Sequence, residues 1–93
     1  MDEKTVVLMP TYDERENLDR MVAQVRAQGV SILVIDDQSP DGTGERADEL
    51  AAQDDHVHVL HRAQKQGLGP AYLAGFAWAL SHGFDVCVEM DAD

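Results

Sequence analysis

The stretch "SILVIDDQSPDGT", residues 31–43, decides the fold of this chain. Its first six residues form a near-continuous apolar run, which is typical of a strand buried on both faces of a sheet. Turn residues follow, and a helical pattern then covers residues 43–53, with Ala47, Leu50 and Ala51 on one face. A buried strand that leads through a turn into an amphipathic helix predicts one repeat of a parallel α/β sheet.

The same alternation extends over the rest of the chain. Further strands are predicted by the runs "TVVLM" (5–9), which is ended by Pro10, "VHVLH" (57–61) and "DVCVEM" (85–90). Helical patterns lie between the strands, and the first and third of them stop at a glycine. The order βαβαβαβ with right-handed crossovers predicts an α/β, Rossmann-like parallel sheet of strand order 3-2-1-4, with helices on both faces.

The helix ends and the helix faces are predicted from local pattern. The first helix is expected to begin with a capping box, in which Asp13 is the cap and Glu16 reaches back to it. Pro70 suits the first position of the third helix. The residues at core spacing are Leu18, Met21, Val22 and Val25 in the first helix, and Leu73, Phe76, Ala77 and Leu80 in the third.

Size and charge limit the classes of protein that this chain can belong to. The 93 residues suffice for one domain or part of one, and the formal net charge of −11 argues against binding nucleic acid or an anionic membrane surface. Cys87, the only cysteine, is expected to be a buried and inert thiol. The charged N-terminus and the short apolar run after it predict neither a signal peptide nor a membrane span, so we expect a cytoplasmic protein.

Polar residues follow each predicted strand, where a parallel sheet binds its ligands. The stretches are "PTYDE" (10–14), "DDQSPDGT" (36–43), "HRAQKQGLG" (61–69) and "DAD" (91–93). In a parallel sheet all carboxyl ends lie along one edge, and the strand order 3-2-1-4 opens a crevice between the first and fourth strands. We therefore expect "PTYDE" to face "DAD" across a ligand crevice.

Asp91 and Asp93 are the candidate metal ligands. Two residues apart on extended backbone, their side chains point the same way, and the two carboxylates repel unless a cation lies between them. Mg²⁺ or Mn²⁺ fits such a pair, because these ions take one or two carboxylates and complete their shell with water and phosphate oxygens. The alternative is a solvated acidic turn or the cap of a following helix.

Asp36 and Asp37 form a second acidic pair at the end of a strand. Neighbouring strand residues point to opposite faces, so one carboxylate can hold the turn while the other reaches a ligand. A carboxylate accepts two hydrogen bonds at once, which matches the N1–H and N2–H₂ edge of guanine. The alternative is that both shape the loop, while Asp41 and Thr43 cap the next helix.

Two other loops carry candidate ligand contacts. The ring of Tyr12 could pack against a planar base and Glu14 could accept from a base or sugar, although Glu14 could equally complement the helix N-terminus. Arg62 and Lys65 could reach a diphosphate or could be ordinary solvated loop charges.

Four motifs carry a resemblance to a known family. With "MPTYDERENL", "VIDDQSPDGT", "GLGPAYLAGF" and "EMDAD" in this order and spacing, the chain resembles family 2 glycosyltransferases, and among them the dolichol- and polyprenol-phosphate mannosyltransferases. The resemblance implies a GT-A fold and a metal-assisted, inverting transfer of mannose from GDP-mannose to a dolichol or polyprenol phosphate.

The resemblance also implies roles for individual residues. The nucleotide side of the pocket would be formed by Pro10, Tyr12, Glu14, Ile35 and Asp37. Asp91, Ala92 and Asp93 would meet the diphosphate, and the two aspartates would act in catalysis by holding Mg²⁺ or Mn²⁺, which stabilises the departing diphosphate.

The resemblance covers the donor-binding part of the family domain. We expect residues 1–93 to form this N-terminal part, with the acceptor half absent, and to be inactive in transfer when alone. Contact with a lipid phosphate would come from the absent region or from a membrane-anchored partner, which places the full-length protein at the cytoplasmic face of a membrane as a peripheral protein.

Two alternatives remain at this point. One is a family 2 enzyme that uses a UDP-sugar, although uracil presents a single N–H on its pairing edge and would use Asp37 less fully than guanine. The other is a phospho-acceptor receiver domain, in which "ILVIDD" would be the acidic pair and "DAD" would supply the phosphorylated aspartate, although the spacing between them is too long.

Overall fold

The computed structural model describes residues 4–63 and 68–90. Its elements are β1 (Thr5–Thr11), α1 (Arg15–Ala27), β2 (Ser31–Asp36), α2 (Thr43–Gln53), β3 (Val57–His61), α3 (Leu68–Ser81) and β4 (Val86–Glu89). The four strands pair in parallel in the order β3-β2-β1-β4. The predicted α/β sheet and its strand order are therefore confirmed.

The centre of the sheet is formed by β1 and β2, in which every residue is buried. Successive side chains along these strands pack into two cores, one on each face of the sheet. The core under α1 and α2 takes Val7, Met9, Ile32 and Val34, together with Leu18, Met21, Val22 and Val25 of α1. The core under α3 takes Val6, Leu8, Leu33 and Ile35. Helices thus cover both faces, and the predicted apolar face of α1 is confirmed.

The first strand does not end at Pro10 as expected, because β1 continues to Thr11. Proline lacks the N–H that a ladder requires, and it is tolerated in a strand where that group has no partner to meet. The Leu8 carbonyl accepts a hydrogen bond from Met90 N–H at 3.0 Å, so the backbone polar groups of Leu8 point toward β4. Those of Pro10, two residues further along the strand, point to the same side. The pairing of β4 with β1 reaches only as far as Leu8. On its other side β1 keeps its pairing with β2 up to Thr11.

The third helix begins at Leu68, two residues before the predicted start at Pro70. The face of α3 that packs on the sheet also differs from the predicted one. The large residues predicted for the core are exposed, with Leu73 at 70%, Phe76 at 38% and Leu80 at 72%, and Ala77 is exposed too. The buried face is instead made of Ala71, Gly75 and Ala79, at four-residue spacing.

The small residues of α3 allow it to lie close to the sheet. A Cβ at Gly75 would lie 2.7 Å from Ile35 Cδ1 and 3.3 Å from Leu8 Cδ1. These distances leave no room for a larger side chain at this position, because protein cores are close-packed. Periodicity alone could not show this, since α3 is apolar around most of its circumference and each face fits the helical period.

The fourth strand is less covered than the other three. Val86 and Val88 are 46% and 47% exposed, whereas Cys87 is half-buried and packs on the α3 side. Burial raises the pKa of the Cys87 thiol, which disfavours the reactive thiolate, as expected for an inert cysteine. Within the described ranges, no helix combines the length and the apolar character of a bilayer-spanning segment.

The close approach of α3 predicts that Gly75→Leu destabilises the protein. Overpacking of a core costs about 1–3 kcal/mol, so the free energy of unfolding in urea should fall by that amount. The matched control is Gly69→Leu on the same helix, where an added Cβ meets no atom within 4 Å. The control should leave stability unchanged or raise it, because glycine is a poor helix former. Equal losses in the two variants would contradict the packing described here.

Candidate functional site

The loops that follow β1, β2 and β3 start side by side at the carboxyl edge of the sheet. In the strand register Thr11 lies opposite Asp36, and Asp36 lies opposite His61. On the other side of β1, Met90 is bonded to Leu8 as it leaves β4. The topology therefore brings the ends of all four strands to one edge, where parallel sheets bind ligands.

Asp36 anchors the turn after β2. Its Oδ1 accepts hydrogen bonds from the Ser39 hydroxyl (2.6 Å) and the Thr11 hydroxyl (3.1 Å), and its Oδ2 accepts one from Ser39 N–H (3.1 Å). The residue is only 2% exposed. A Cβ at Gly44 would lie 2.8 Å from Asp36 Oδ2, so α2 can approach this carboxylate only because residue 44 has no side chain. Asp36 is thus the member of the acidic pair that shapes the loop.

The loop after β1 is held by side chains of the loop after β2. Three consecutive N–H groups at the start of α1 donate across the gap between the loops. Asp13 N–H donates to Ser39 Oγ (3.1 Å), Glu14 N–H to Thr43 Oγ1 (3.0 Å) and Arg15 N–H to Asp41 Oδ2 (3.1 Å). The two loops therefore form one hydrogen-bonded unit.

The predicted capping box of Asp13 and Glu16 is wrong. The N-cap of α1 is Glu14 and makes no side-chain capping bond. Asp13 lies in the left-handed region at φ 56°, which aspartate tolerates better than most residues. The N–H groups that a local cap would have satisfied are taken by distant residues, because the register of β1 and β2 places the second loop directly beside the helix start.

Asp41 and Thr43 link both helix starts. Asp41 Oδ1 accepts Thr43 N–H at 3.1 Å and also the Thr43 hydroxyl, while Gly42 is the N-cap of α2. Asp41 therefore satisfies the first N–H of α2, but neither Asp41 nor Thr43 is the N-cap that the alternative interpretation expected, and the Thr43 hydroxyl also accepts from the start of α1. Desolvation works to raise the pKa of Asp41, but hydrogen bonds from the Thr43 hydroxyl and from the N–H groups of Arg15 and Thr43 outweigh it and lower that pKa.

Asp37 is the member of the pair with unused hydrogen-bonding capacity. It is 6% exposed, and its N–H donates to the Thr11 carbonyl at 3.4 Å. Its Oδ2 accepts a 3.3 Å hydrogen bond from Arg62 Nη1. Its Oδ1 lies 3.2 Å from the same nitrogen but, among the described residues, has no hydrogen-bond donor. A buried carboxylate oxygen without a donor, at the edge where ligands bind, is a group able to accept from a ligand.

The other predicted contacts are placed as follows. Pro10 lies opposite Ile35 in the register, and both are buried. The Ile35 side chain packs in the core under α3, so only its backbone faces the loops. Tyr12 is 39% exposed, and Glu14 is half-buried at the start of α1. Their roles in nucleotide binding stay predictions.

The predicted metal ligands Asp91 and Asp93, with Ala92 between them, lie outside the described residues. Within residues 4–63 and 68–90, no three side chains of histidine, cysteine or acidic type are grouped to hold a metal ion. The predicted Mg²⁺ or Mn²⁺ site therefore continues to rest on the sequence.

Sequence reasoning did not find the partners that fix the site. Arg62 was expected to be solvated or to reach a diphosphate, but its side chain is 11% exposed and pairs with Asp37. Ser39 was only one of the turn residues, yet it links Asp36 to Asp13. A signal for Arg62 was its position directly after a strand in a strongly acidic chain. Lys65 lies outside the described residues.

A shallow groove of about 230 Å³ lies between α1 and α2, on a different part of the surface. It is lined by Asp19, Val22, Ala23, Arg26, Leu50, Gln53, Asp54 and Val57. Arg26 lies in the last turn of α1, Gln53 ends α2 and Val57 begins β3, so the groove extends toward the amino ends of the strands. None of the predicted site residues lines it.

The anchoring role of Asp36 predicts that Asp36→Asn lowers stability. The amide turns one acceptor oxygen into a donor, so a buried hydroxyl or N–H loses its partner, at a cost of about 1–3 kcal/mol in urea unfolding. The control is Asp48→Asn, because Asp48 is exposed and pairs with the exposed His61 on the surface. Surface pairs contribute about 0–1 kcal/mol. A loss no greater than that of the control would show that Asp36 does not anchor the loops.

The fold and the arrangement of its loops define an α/β domain with a ligand edge at the carboxyl ends of its strands. The family model described as glycosyl transferase family 2 matches residues 6–93. The chain therefore belongs to glycosyl transferase family 2, and the predicted resemblance is confirmed.

Several curated relatives align with almost the whole chain. It is 60% identical to a polyprenol monophosphomannose synthase of Mycolicibacterium smegmatis over 98% of this chain and 36% of that protein. It is 52% identical to an undecaprenyl-phosphate mannosyltransferase of Micrococcus luteus, over 97% of this chain and 38% of the relative. A dolichol-phosphate mannosyltransferase of Pyrococcus furiosus is 43% identical over 97% of this chain and 26% of its own length. The chain thus spans well under half the length of these relatives.

A solved structure shares the fold. It is a mannosyltransferase from Pyrobaculum calidifontis in complex with GDP-Man and Mn²⁺, and it superposes with a TM-score of 0.77 at 21% identity. The match covers 100% of this chain and 28% of that structure. This likeness confirms the GT-A type of α/β fold that the sequence predicted.

Proposed function

We propose that this chain binds GDP-mannose at the carboxyl edge of its sheet and serves a transferase that passes mannose, with inversion, to a polyprenol or dolichol phosphate. The observation that carries the proposal is the buried Asp37 carboxylate, whose Oδ1 has no donor among the described residues. It stands beside the loop of Tyr12 and Glu14, which the Asp41 and Thr43 side chains hold in place.

The relatives support this choice of donor and acceptor. The names of two of them specify transfer of mannose to undecaprenyl phosphate or dolichol phosphate. The structural neighbour was solved with GDP-Man and Mn²⁺. Identities of 43–60% over nearly the whole chain support the same donor here.

Different residues of this chain would contact different parts of the GDP-mannose donor. Asp37 would accept N–H groups from the guanine edge, which presents two donors side by side. The exposed ring of Tyr12 would pack on the base, and Glu14 would accept from the base or the sugar. Asp91 and Asp93 would hold Mg²⁺ or Mn²⁺, which when bound neutralises the charge that forms on the departing diphosphate.

The acceptor explains why no strong general base is needed. A phosphate monoester has a second pKa of about 6, so its oxygen is already mostly ionised at neutral pH and can attack without losing a proton. We propose that the contacts to this acceptor belong to the part of the family domain that this chain does not span. We also propose that the full protein works as a peripheral protein at the cytoplasmic face of a membrane, because its acceptor would be a lipid.

Nucleotide titrations test the donor. In the presence of Mn²⁺, GDP should bind at least about tenfold more tightly than UDP, because uracil offers Asp37 one hydrogen bond fewer and each such bond to a charged group contributes about 1.5–3 kcal/mol. Asp91→Ala should remove the dependence of GDP affinity on Mn²⁺. Calorimetry measures both effects.

The control is Asp55→Ala, an exposed aspartate just before β3 at the opposite edge of the sheet, which should keep the wild-type affinities. Equal or tighter binding of UDP would favour the alternative family 2 enzyme that uses a UDP-sugar. Absence of nucleotide binding would contradict the proposal as a whole. The family match leaves the phospho-acceptor receiver alternative without support.

A further inference from the structure

Arg62 is unusual among the described arginines because its side chain is nearly buried. It is 11% exposed, whereas the ion-paired Arg26 and Arg46 are each 24% exposed. Its N–H donates to the Asp36 carbonyl at 2.8 Å, which continues the β2–β3 ladder beyond the last strand residue. The backbone that carries this guanidinium is therefore fixed at the carboxyl edge of the sheet.

The ion pair between Arg62 and Asp37 neutralises the charge of the carboxylate but leaves Asp37 Oδ1 able to accept a hydrogen bond. Hydrogen bonds between a guanidinium and a carboxylate usually measure about 2.7–2.9 Å. Here Nη1 lies 3.3 Å from the Oδ2 that accepts from it and 3.2 Å from Oδ1, which accepts nothing among the described residues. Burial of a carboxylate is costly unless a charge compensates it. Arg62 supplies that charge without using both oxygens of Asp37.

The neighbouring Asp36 shows the contrast. Asp36 is equally buried but accepts three hydrogen bonds from Ser39 and Thr11. Asp37 Oδ1 accepts no hydrogen bond among the described residues, although the neighbouring Asp36 accepts three. At an edge where ligands bind, this difference indicates that Asp37 accepts hydrogen bonds from a ligand. Its carboxylate must then be held in one orientation, because a rigid base presents its N–H groups in a fixed geometry.

We propose that Arg62 is a positioning residue for base recognition, which holds the Asp37 carboxylate oriented so that Oδ1 accepts from a base with two adjacent N–H donors. This inference rests on the proposed binding of a guanine nucleotide. Arg62 acts through Asp37, and it does not contact the diphosphate. The chemical consequence is selectivity for the base, with little effect on affinity for the rest of the ligand.

Comparison of GDP with IDP isolates this effect, because hypoxanthine lacks the 2-amino group of guanine and is otherwise alike. In the wild-type protein with Mn²⁺, GDP should bind about tenfold more tightly than IDP, since one hydrogen bond to a charged acceptor is lost and the buried oxygen is left unpaired. In Arg62→Met, which keeps an apolar stem but loses the charge, this ratio should fall to about threefold or less. The loss of affinity caused by Arg62→Met should be larger for GDP than for IDP.

Further variants show whether the effect is specific to Arg62 and Asp37. Arg46→Met removes a partly buried arginine that pairs with Asp19 and Glu49 on the helices, and it should keep the wild-type ratio. Combining Arg62→Met with Asp37→Asn should reduce the ratio no further than Asp37→Asn alone, because both changes act on one carboxylate. If Arg62→Met does not fold, Arg62→Lys carries the same test, since an ammonium keeps the charge but lacks the planar fork.

The outcomes separate the two proposals. If the wild-type protein prefers GDP to IDP and Arg62→Met keeps that preference, the role of Arg62 is wrong while the proposed function stands. Equal losses for GDP, IDP and free pyrophosphate would identify Arg62 as a diphosphate contact and overturn its positioning role. If the wild-type protein binds neither nucleotide, the proposed function falls and the role of Arg62 falls with it.

Discussion

The parallel register of β1 with β2 is the constraint on which the rest of the site depends. It places Thr11 opposite Asp36, and this puts the two following loops in hydrogen-bonding contact. Each loop then satisfies polar groups of the other, so that the start of α1 is held by Asp41 and Thr43. A shift of one residue in this register would turn every side chain of a strand to the other face and separate the loops. The geometry of the edge is therefore set by the same pairing that forms the core.

The architecture could be predicted from sequence because its signals are strong and local. Near-continuous apolar strands that alternate with amphipathic helices leave few arrangements, and the strand order 3-2-1-4 is one of them. The failures have tertiary causes. The face of α3 was misassigned because the small Gly75, between Ile35 and Leu8, sets how close the helix lies to the sheet. The cap of α1 was misassigned because its partners are about 26 residues away in the chain.

The candidate site was predictable as a location and only partly as a set of contacts. The residue pattern placed Asp36 and Asp37 at the ligand edge and predicted that they divide two tasks, and only the family resemblance implied that Asp37 is the one that meets the ligand. The hydrogen bonds distinguish the two residues. Asp36 accepts hydrogen bonds from Ser39 and Thr11, whereas one oxygen of Asp37 has no donor among the described residues. The partner of Asp37 was missed because the position of Arg62 directly after a strand does not by itself show that its side chain is buried against Asp37.

The proposed function requires that a nucleotide and its divalent ion meet at the carboxyl edge of the sheet. Paramagnetic broadening by Mn²⁺ of the backbone amide signals, recorded by NMR with and without GDP, locates the ion, because the effect depends steeply on distance from it. We expect broadening centred on Tyr12, Asp37 and Met90 that requires GDP, while Val30 and Gly83 at the opposite edge keep their signals. Broadening centred on that opposite edge, or spread evenly over the acidic surface, would contradict it.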